Sequence, residues 1–240
     1  MRILVTGTGR GGTTLLREVV VGLNAARFYC GAYSKEEDRD FFNYKELPEQ
    51  YMTKLATPNP SNPNMGYTKE SLIKYMEKYD DLYLIFSIRH PVDTCMSKIV
   101  RGRKHSDGGH KWWEEISVDG TIEGAIRAVI FMHNIYETVK KQYPTRVLAV
   151  KMEELILNPK ETVGRIATFL HCGVTSRSLV FYRYNSNPYQ FRDYGTELNK
   201  NQINLHEKWQ TAYDGYFKDK GNDIERLKEA FKNLEYERVF

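Results

Sequence analysis

The sequence opens with an apolar run, a glycine-rich loop and an amphipathic segment, and this order constrains the fold more than any other feature. Residues 2–6 are typical of a buried strand, and the loop that follows runs from Gly7 to Gly12. A helix is predicted over residues 13–26 because apolar side chains recur along one face. These apolar residues are Leu15, Leu16, Val19, Val20 and Leu23. Strand, glycine turn and helix form the opening unit of a parallel α/β sheet.

Later segments continue this alternation of strand and helix. Residues 82–88 form a continuous apolar run, which is typical of a central strand in a parallel sheet. Further short strands are predicted at 28–30 and 147–150. Helices are predicted at 69–79, 121–142 and 222–234, and two more are predicted to begin at Pro91 and Pro159. The sequence therefore predicts a single α/β domain over residues 1–240, with a central parallel sheet flanked by helices, as in the P-loop nucleotide kinases.

Three segments are predicted to be loops that face a substrate or form a lid. Residues 32–64 are polar and interrupted by prolines, residues 103–120 contain a glycine pair and a tryptophan pair, and residues 182–220 show little periodicity. Surface segments of this kind commonly carry substrate contacts. We therefore expect the acceptor of any reaction to be bound by these three segments.

Bulk composition excludes several classes of protein. The formal net charge is +4, with basic residues scattered among acids, which suits an anionic ligand but not a nucleic acid. The three cysteines are far apart and form neither a disulfide framework nor a metal-binding pattern. No apolar stretch approaches the roughly 18 residues of a membrane span. Because the apolar run begins at Ile3, it leaves no room for a signal peptide, and we expect a cytoplasmic protein.

The glycine loop has the spacing of a phosphate-binding loop, G-x-x-x-x-G followed by two hydroxyl residues. Thr13 occupies the position of the lysine that contacts the terminal phosphates in ATP-type loops, and Arg10 places a cation within the loop. A dinucleotide-binding G-x-G-x-x-G also fits the glycines, but residues 24–33 lack the acidic residue that would bind a ribose. The loop thus predicts an anion site without the usual machinery of NTP hydrolysis.

Residues 8–15, T-G-R-G-G-T-T-L, resemble the 5'-phosphosulfate loop of the sulfotransferases that use PAPS (3'-phosphoadenosine 5'-phosphosulfate), whose pattern is roughly P-(K/R)-S-G-T-T. Gly9 replaces the frequent proline and Gly11 the frequent serine. The resemblance implies that the whole loop binds the phosphosulfate group, through Thr8, Gly9, Arg10, Gly11, Gly12, Thr13 and Thr14.

A second candidate anion site begins at Arg89, at the end of the predicted strand 82–88, where α/β sheets bind ligands. Arginine offers a planar fork to phosphate, and Ser97 adds a hydroxyl donor. The run R-H-P-x-x-x-x-x-S from Arg89 to Ser97 is similar to the 3'-phosphate motif of the same family. A 3'-phosphate distinguishes PAPS from ATP, so this resemblance implies the sulfate donor. Residues 146–159 also resemble the family, and the likeness extends over about residues 2–172.

Sulfuryl transfer needs cations for the charge on the leaving phosphate and a base for the acceptor proton. Arg10 is predicted to stabilise the leaving phosphate, and Lys69 resembles the lysine of the family's K-T-(H/P) element. Ser71 stands where some relatives have a histidine base, so Glu36 or Glu37 is predicted to be the base. No metal is expected.

The resemblance therefore implies a PAPS-dependent sulfotransferase that acts on a hydroxyl or amine of a small-molecule or carbohydrate acceptor and releases PAP (adenosine 3',5'-bisphosphate). Two alternatives stay open. A P-loop nucleotide or small-molecule kinase would need a substitute for the missing lysine and an acidic magnesium ligand. A catalytically inactive nucleotide-binding module would act through a partner, with Trp112 and Trp113 as an interface patch.

Overall fold

The structure is a computed structural model, and it describes residues 1–25, 27–28, 41–56, 68–106, 121–180 and 203–234. Its sheet has five strands, β1 (Arg2–Gly7), β2 (Arg27–Phe28), β3 (Tyr51–Ala56), β4 (Leu82–Ile88) and β5 (Val147–Lys151). The strand order is β2-β3-β1-β4-β5, and each of these pairings is parallel. The predicted single α/β domain with a central parallel sheet is confirmed.

Helices flank this sheet close to their predicted positions. They are α1 (Thr13–Leu23), α2 (Lys69–Lys78), α3 (Pro91–Ser106), α4 (Ile122–Gln142), α5 (Met152–Leu157), α6 (Pro159–Phe169), α7 (Ser176–Val180), α8 (Ala212–Gly215) and α9 (Gly221–Phe231), with a 3₁₀ turn at Phe41–Asn43. Within the described residues, none of the helices is long and apolar enough to cross a bilayer.

Strand β3 corrects the prediction that residues 32–64 form one long surface loop. Its residues pair with β1 in parallel, with Ile3 opposite Met52 and Val5 opposite Lys54, and Tyr51 is 1% exposed. The strand was hidden in the sequence because Thr53 and Lys54 interrupt its apolar character, although both are buried here. Residues 29–40 and 57–67 of the predicted loop lie outside the described residues.

The two other predicted loops are also corrected in part. Helix α3 continues to Ser106, so the first four residues of the segment 103–120 are helical, while residues 107–120, with both tryptophans, lie outside the described residues. Within 182–220, the side chains of Leu205, Ala212 and Phe217 are buried against α3 and α9. These three side chains pack against the apolar faces of the helices, so 203–217 is anchored to the core, and its predicted contact with a substrate stays a prediction.

Two apolar layers cover the sheet because successive side chains of a strand point to opposite faces. Ile3 and Val5 of β1 pack with α1 and α6, whereas Leu4 packs with α2 and α4. The N-terminus of α1 and the start of α3 therefore both lie where parallel strands end, at the edge where such sheets bind ligands.

Candidate active site

The loop after β1 has a backbone that requires glycine at two points. Gly7 has φ 145°, and a Cβ atom there would lie 2.3 Å from the carbonyl oxygen of Ser87. Gly12 has φ 91°, and a Cβ atom there would lie 2.9 Å from Sδ of Met152. Between them Arg10 also has a left-handed φ of 72°, and the N–H of Gly11 donates to the carbonyl of Thr8 at 2.8 Å. The loop is therefore a tight, defined turn pressed against the end of β4.

Helix α1 begins directly after this loop. Gly12 is its N-cap residue, and a glycine has no side chain with which to cap the first backbone N–H groups. The first-turn N–H groups and the positive end of the helix dipole are consequently presented to the loop. This arrangement is suited to an anion such as a phosphate.

The second predicted anion motif lies against the first. Because β4 neighbours β1, Arg89 at the end of β4 donates from Nη1 to the carbonyl of Arg10, at 3.4 Å. Ser97 lies in the second turn of α3, and its Oγ accepts a hydrogen bond from Nε of Arg10 at 3.1 Å. Ser87 adds a third link, since its hydroxyl donates to the carbonyl of Gly11 at 2.7 Å. The structure thus brings the two sequence motifs into contact at the ends of β1 and β4.

Lys54 is a candidate site residue that the sequence reasoning missed. It lies on β3, is 7% exposed, and its Nζ donates to Oγ1 of Thr14 at 3.2 Å. A buried lysine bonded to a hydroxyl in the first turn of α1 supplies a cation close to Thr13, the position where ATP-type loops have a lysine. The signal in the sequence was a lysine within the short segment Y-M-T-K-L-A, but it could be used only if that segment was recognised as a strand.

The other predicted catalytic residues are not brought to the loop by the described contacts. Lys69 is the first residue of α2, its side chain is 44% exposed, and its Nζ lies 3.6 Å from Oε1 of Glu70. Ser71 serves as part of a capping box with Thr68 at the same helix end. Glu36 and Glu37 lie outside the described residues. Their roles stay predictions.

Asp93 holds the C-terminal segment against the start of α3. It is fully buried, and its carboxylate accepts hydrogen bonds from the backbone N–H groups of Leu205, at 3.1 Å, and His206, at 2.8 Å. A third bond joins it to Nδ1 of His206 at 2.7 Å. Burial by itself would raise the pKa of Asp93, but the hydrogen bond from His206 and the charge of Arg89 lower it. Asp93 is therefore an ionised anchor.

The ring of His90 stacks on that of His206, with centroids 3.8 Å apart and planes 7° apart. Burial, with the charges of His206 and Arg89, lowers the pKa of His90 to about 4. Among the described residues, His90, Asp93 and His206 form a group whose potential metal ligands lie within 4.8 Å of one another. However, both carboxylate oxygens of Asp93 already accept hydrogen bonds from Leu205 and His206, so a metal ion there would displace the contacts that hold the C-terminal segment. The three side chains hold the C-terminal segment against the start of α3.

A small cavity, partly open to solvent, lies between the ends of β1 and β4 and the helix α4. Gly7, Thr8 and Arg89 border it on the strand side, and Met132, His133 and Tyr136 on the side of α4. Burial lowers the pKa of His133, and it raises the pKa of Tyr136 to about 12. The cavity therefore holds a half-buried imidazole that favours its neutral form.

Comparison with known proteins gives a consistent assignment. The sequence model described as "Sulfotransferase domain" matches residues 1–235. The chain matches none of the curated proteins. Among solved structures, the sulfotransferase domain of the curacin biosynthetic pathway is 13% identical, with a TM-score of 0.58 over 96% of this chain and 97% of that one.

Two further structures share the fold. The sulfotransferase domain of the Synechococcus PCC 7002 olefin synthase is 16% identical, with a TM-score of 0.51 over 96% of this chain and 94% of that one. Mouse sulfotransferase SULT7A1, solved in complex with PAP, is 14% identical, with a TM-score of 0.62 over 99% of this chain and 85% of that one. At these identities the likeness establishes the fold alone.

Proposed function

The chain belongs to the sulfotransferase domain family, and we propose that it transfers a sulfuryl group from PAPS to a hydroxyl or amine of an acceptor, releasing PAP. The observation that supports this proposal is the contact between two anion motifs that are remote in sequence. Arg10 of the loop donates to Ser97 of α3, and Arg89 donates to the backbone of the same loop. A nucleotide with phosphates at both its 5' and 3' positions has the two charged ends that such a pair of motifs suits.

In this proposal the loop and the N-terminus of α1 hold the 5'-phosphosulfate, and Arg89 with Ser97 holds the 3'-phosphate. The loop residues that contact the donor are Thr8, Gly9, Arg10, Gly11, Gly12, Thr13 and Thr14. Backbone N–H groups provide most of the contacts, since the glycines let an anion approach the main chain closely. Mouse SULT7A1, which shares this fold, was solved with PAP.

The reaction is an in-line displacement in which charge develops on the phosphate that leaves. Cations aimed at that phosphate lower the barrier because they stabilise the transition state more than the ground state. Arg10 and Lys54 are the proposed cations, since Arg10 belongs to the loop and Lys54 contacts Thr14. Lys69 is a sequence-based candidate for the same role, Glu36 or Glu37 is the sequence-based candidate for the proton acceptor, and cytoplasmic location stays a prediction.

The first test is ligand specificity, measured as the shift in melting temperature with PAP and with ATP and magnesium. Ligand at 100 times its Kd stabilises the folded state by about 2.7 kcal/mol, which is a readily measured shift. We expect a shift with PAP that is reduced in Arg10→Ala and Arg89→Ala, and no comparable shift with ATP. Stabilisation by ATP and magnesium without stabilisation by PAP would instead establish the kinase alternative.

The second test is transfer of labelled sulfate from PAPS to a panel of hydroxyl and amine acceptors. We expect labelled product together with stoichiometric PAP. If PAP binds tightly but no acceptor is labelled, the inactive binding module is the better description of the protein.

A further inference from the structure

The cavity beside the loop lies on the opposite face of the sheet from the helix that would hold the leaving phosphate. Helix α1 packs on the face that carries Val5 and Ile85. Helix α4 packs on the other face, and the cavity between it and Phe86 ends at Gly7 and Thr8. In an in-line displacement the acceptor approaches the sulfur from the side opposite the leaving group. The cavity is therefore placed for the acceptor, an argument that rests on the proposed function.

The wall of this cavity is mostly apolar. Its described apolar residues are Phe86, Ile88, Pro91, Val129, Met132 and Leu234. The described lining also includes the permanent charge of Arg89 and four hydroxyl side chains, of which those of Ser87 and Thr94 already donate to backbone carbonyls, and it includes no carboxylate or carboxamide side chain. A sugar carries hydroxyl groups around its ring, and burying them against apolar side chains without partners is costly. An apolar alcohol or phenol buries its carbon skeleton favourably at the same wall.

Among the described residues of this wall, His133 is the side chain that can accept a proton near neutral pH. It lies one turn before Tyr136 and Glu137 on α4, and it is half-buried rather than enclosed. Because burial lowers its pKa, the imidazole is neutral at neutral pH and has a lone pair to offer. Arg89 across the cavity, and Tyr136 and Glu137 on its own helix, are the charged or titratable groups around it.

We propose that the cavity between the loop and α4 is the acceptor site, that it takes a hydroxyl on an apolar group, and that His133 receives the hydroxyl proton. The acceptor oxygen forms a bond to the sulfur of PAPS while the bond from sulfur to the 5'-phosphate oxygen breaks. The electron pair of that bond leaves on the phosphate of PAP, and the proton passes from the hydroxyl to His133 and then to water.

Substrate class is tested with labelled PAPS and two matched panels of acceptors. Naphthol, cyclohexanol and octanol represent apolar hydroxyl compounds, and glucose, N-acetylglucosamine and chondroitin represent carbohydrates. We expect kcat/KM to be at least 100-fold higher for the best apolar acceptor than for the best carbohydrate. If the carbohydrates are turned over faster than the apolar acceptors, the proposed substrate class is wrong and the proposed function is unaffected. PAP binding without labelling of any apolar acceptor also overturns it.

The role of His133 is tested with His133→Asn, and His171→Asn is its matched control because His171 lies on an exposed turn against Tyr83. We expect His133→Asn to lower kcat by about 100-fold or more, the usual contribution of a general base. Its Kd for PAP and its melting temperature should stay within about twofold and a few degrees of the wild type, which separates lost chemistry from lost folding. His171→Asn should leave both kcat and Kd unchanged.

The pH profile of kcat separates a proton acceptor from a residue that only shapes the cavity. In the wild type we expect activity to fall on the acid side with a midpoint below about 6.5, the ordinary pKa of histidine, as the imidazole becomes protonated. His133→Asn should lose this acid limb, and Glu137→Gln should keep it. If Glu36→Gln or Glu37→Gln removes the limb and His133→Asn keeps it, the proton acceptor is the glutamate and not His133. Absence of PAP binding by the wild type would instead refute the proposed function itself.

Discussion

The Nε atom of Arg10 donates to Oγ of Ser97 at 3.1 Å, although 87 residues separate the two in the chain. Because the serine oxygen accepts this bond, the hydroxyl hydrogen remains to be donated to an anion. The contact therefore holds a cation of the loop and a donor of α3 at a set distance before any ligand arrives. Such preorganisation lowers the free-energy cost of ordering side chains when a ligand binds.

Arg89→Ala should weaken PAP binding selectively. A hydrogen bond to a charged group contributes about 1.5–3 kcal/mol, so we expect Kd for PAP to rise roughly 10- to 150-fold. Kd for adenosine 5'-phosphosulfate, which lacks the 3'-phosphate, should change less than about threefold. Calorimetric titration measures both values, with Arg165→Ala as control because Arg165 of α6 is exposed and pairs with Glu154 of α5. An equal loss for the two ligands would show that Arg89 does not bind the 3'-phosphate.

Gly7→Ala should destabilise the whole domain. A Cβ at this position would lie 2.3 Å from the carbonyl oxygen of Ser87, and the backbone has φ 145°. Strain and overpacking together should lower the free energy of unfolding by roughly 2–5 kcal/mol, measured by urea denaturation. Gly164→Ala in α6 is the control, because a Cβ there meets no atom within 4 Å, and it should raise stability by up to about 1 kcal/mol. Equal stability of the two variants would contradict the close approach of β1 and β4.

Asp93→Asn should detach the C-terminal segment, because the amide cannot accept all three hydrogen bonds that the carboxylate accepts from Leu205 and His206. Leaving a buried N–H donor without its acceptor costs about 1–3 kcal/mol, and limited proteolysis should cut within 203–217 first. Asp80→Asn, at an exposed turn, should behave as wild type. An uncut segment in Asp93→Asn would show that Asp93 does not anchor it.

The same anchor gives a defined pH dependence of stability. The folded pKa of Asp93 is lowered, so its contribution is complete above the unfolded value of about 3.9 and is lost as pH falls through that value toward the folded pKa. The difference in unfolding free energy between wild type and Asp93→Asn should therefore be constant near neutral pH and shrink below about pH 5. A difference that stays constant to pH 3 would contradict an ionised Asp93.

Lys54→Met should lower the rate of sulfuryl transfer far more than Lys69→Met. Lys54 is buried and bonded to Thr14, whereas Lys69 is exposed and lies near Glu70. We expect kcat to fall by about 100-fold or more in Lys54→Met, as when one electrostatic contact to a transition state is removed, and Kd for PAP to rise less. A larger loss in Lys69→Met would restore the sequence-based assignment of the catalytic lysine.

Much of the architecture was predictable because its signals are local. The apolar run before Gly7, the glycines of the loop and the amphipathic pattern of α1 lie within about 20 residues, so the opening unit follows from pattern alone. The same holds for β4 and the start of α3 around Arg89. Family resemblance then linked these two motifs to one nucleotide, and the structure places them in contact.

Sequence by itself determined the α/β order, the loop and the two anion motifs, because each depends on neighbours along the chain. Only the tertiary structure decided that a segment with a threonine and a lysine is the buried strand β3, since pairing with β1 outweighs its polar residues. Only it brought Lys54 to Thr14, His206 to Asp93 and His133 to the cavity at Thr8. The physical reason is that such contacts depend on which strands pair and which helix face is buried, and no short window of sequence records either choice.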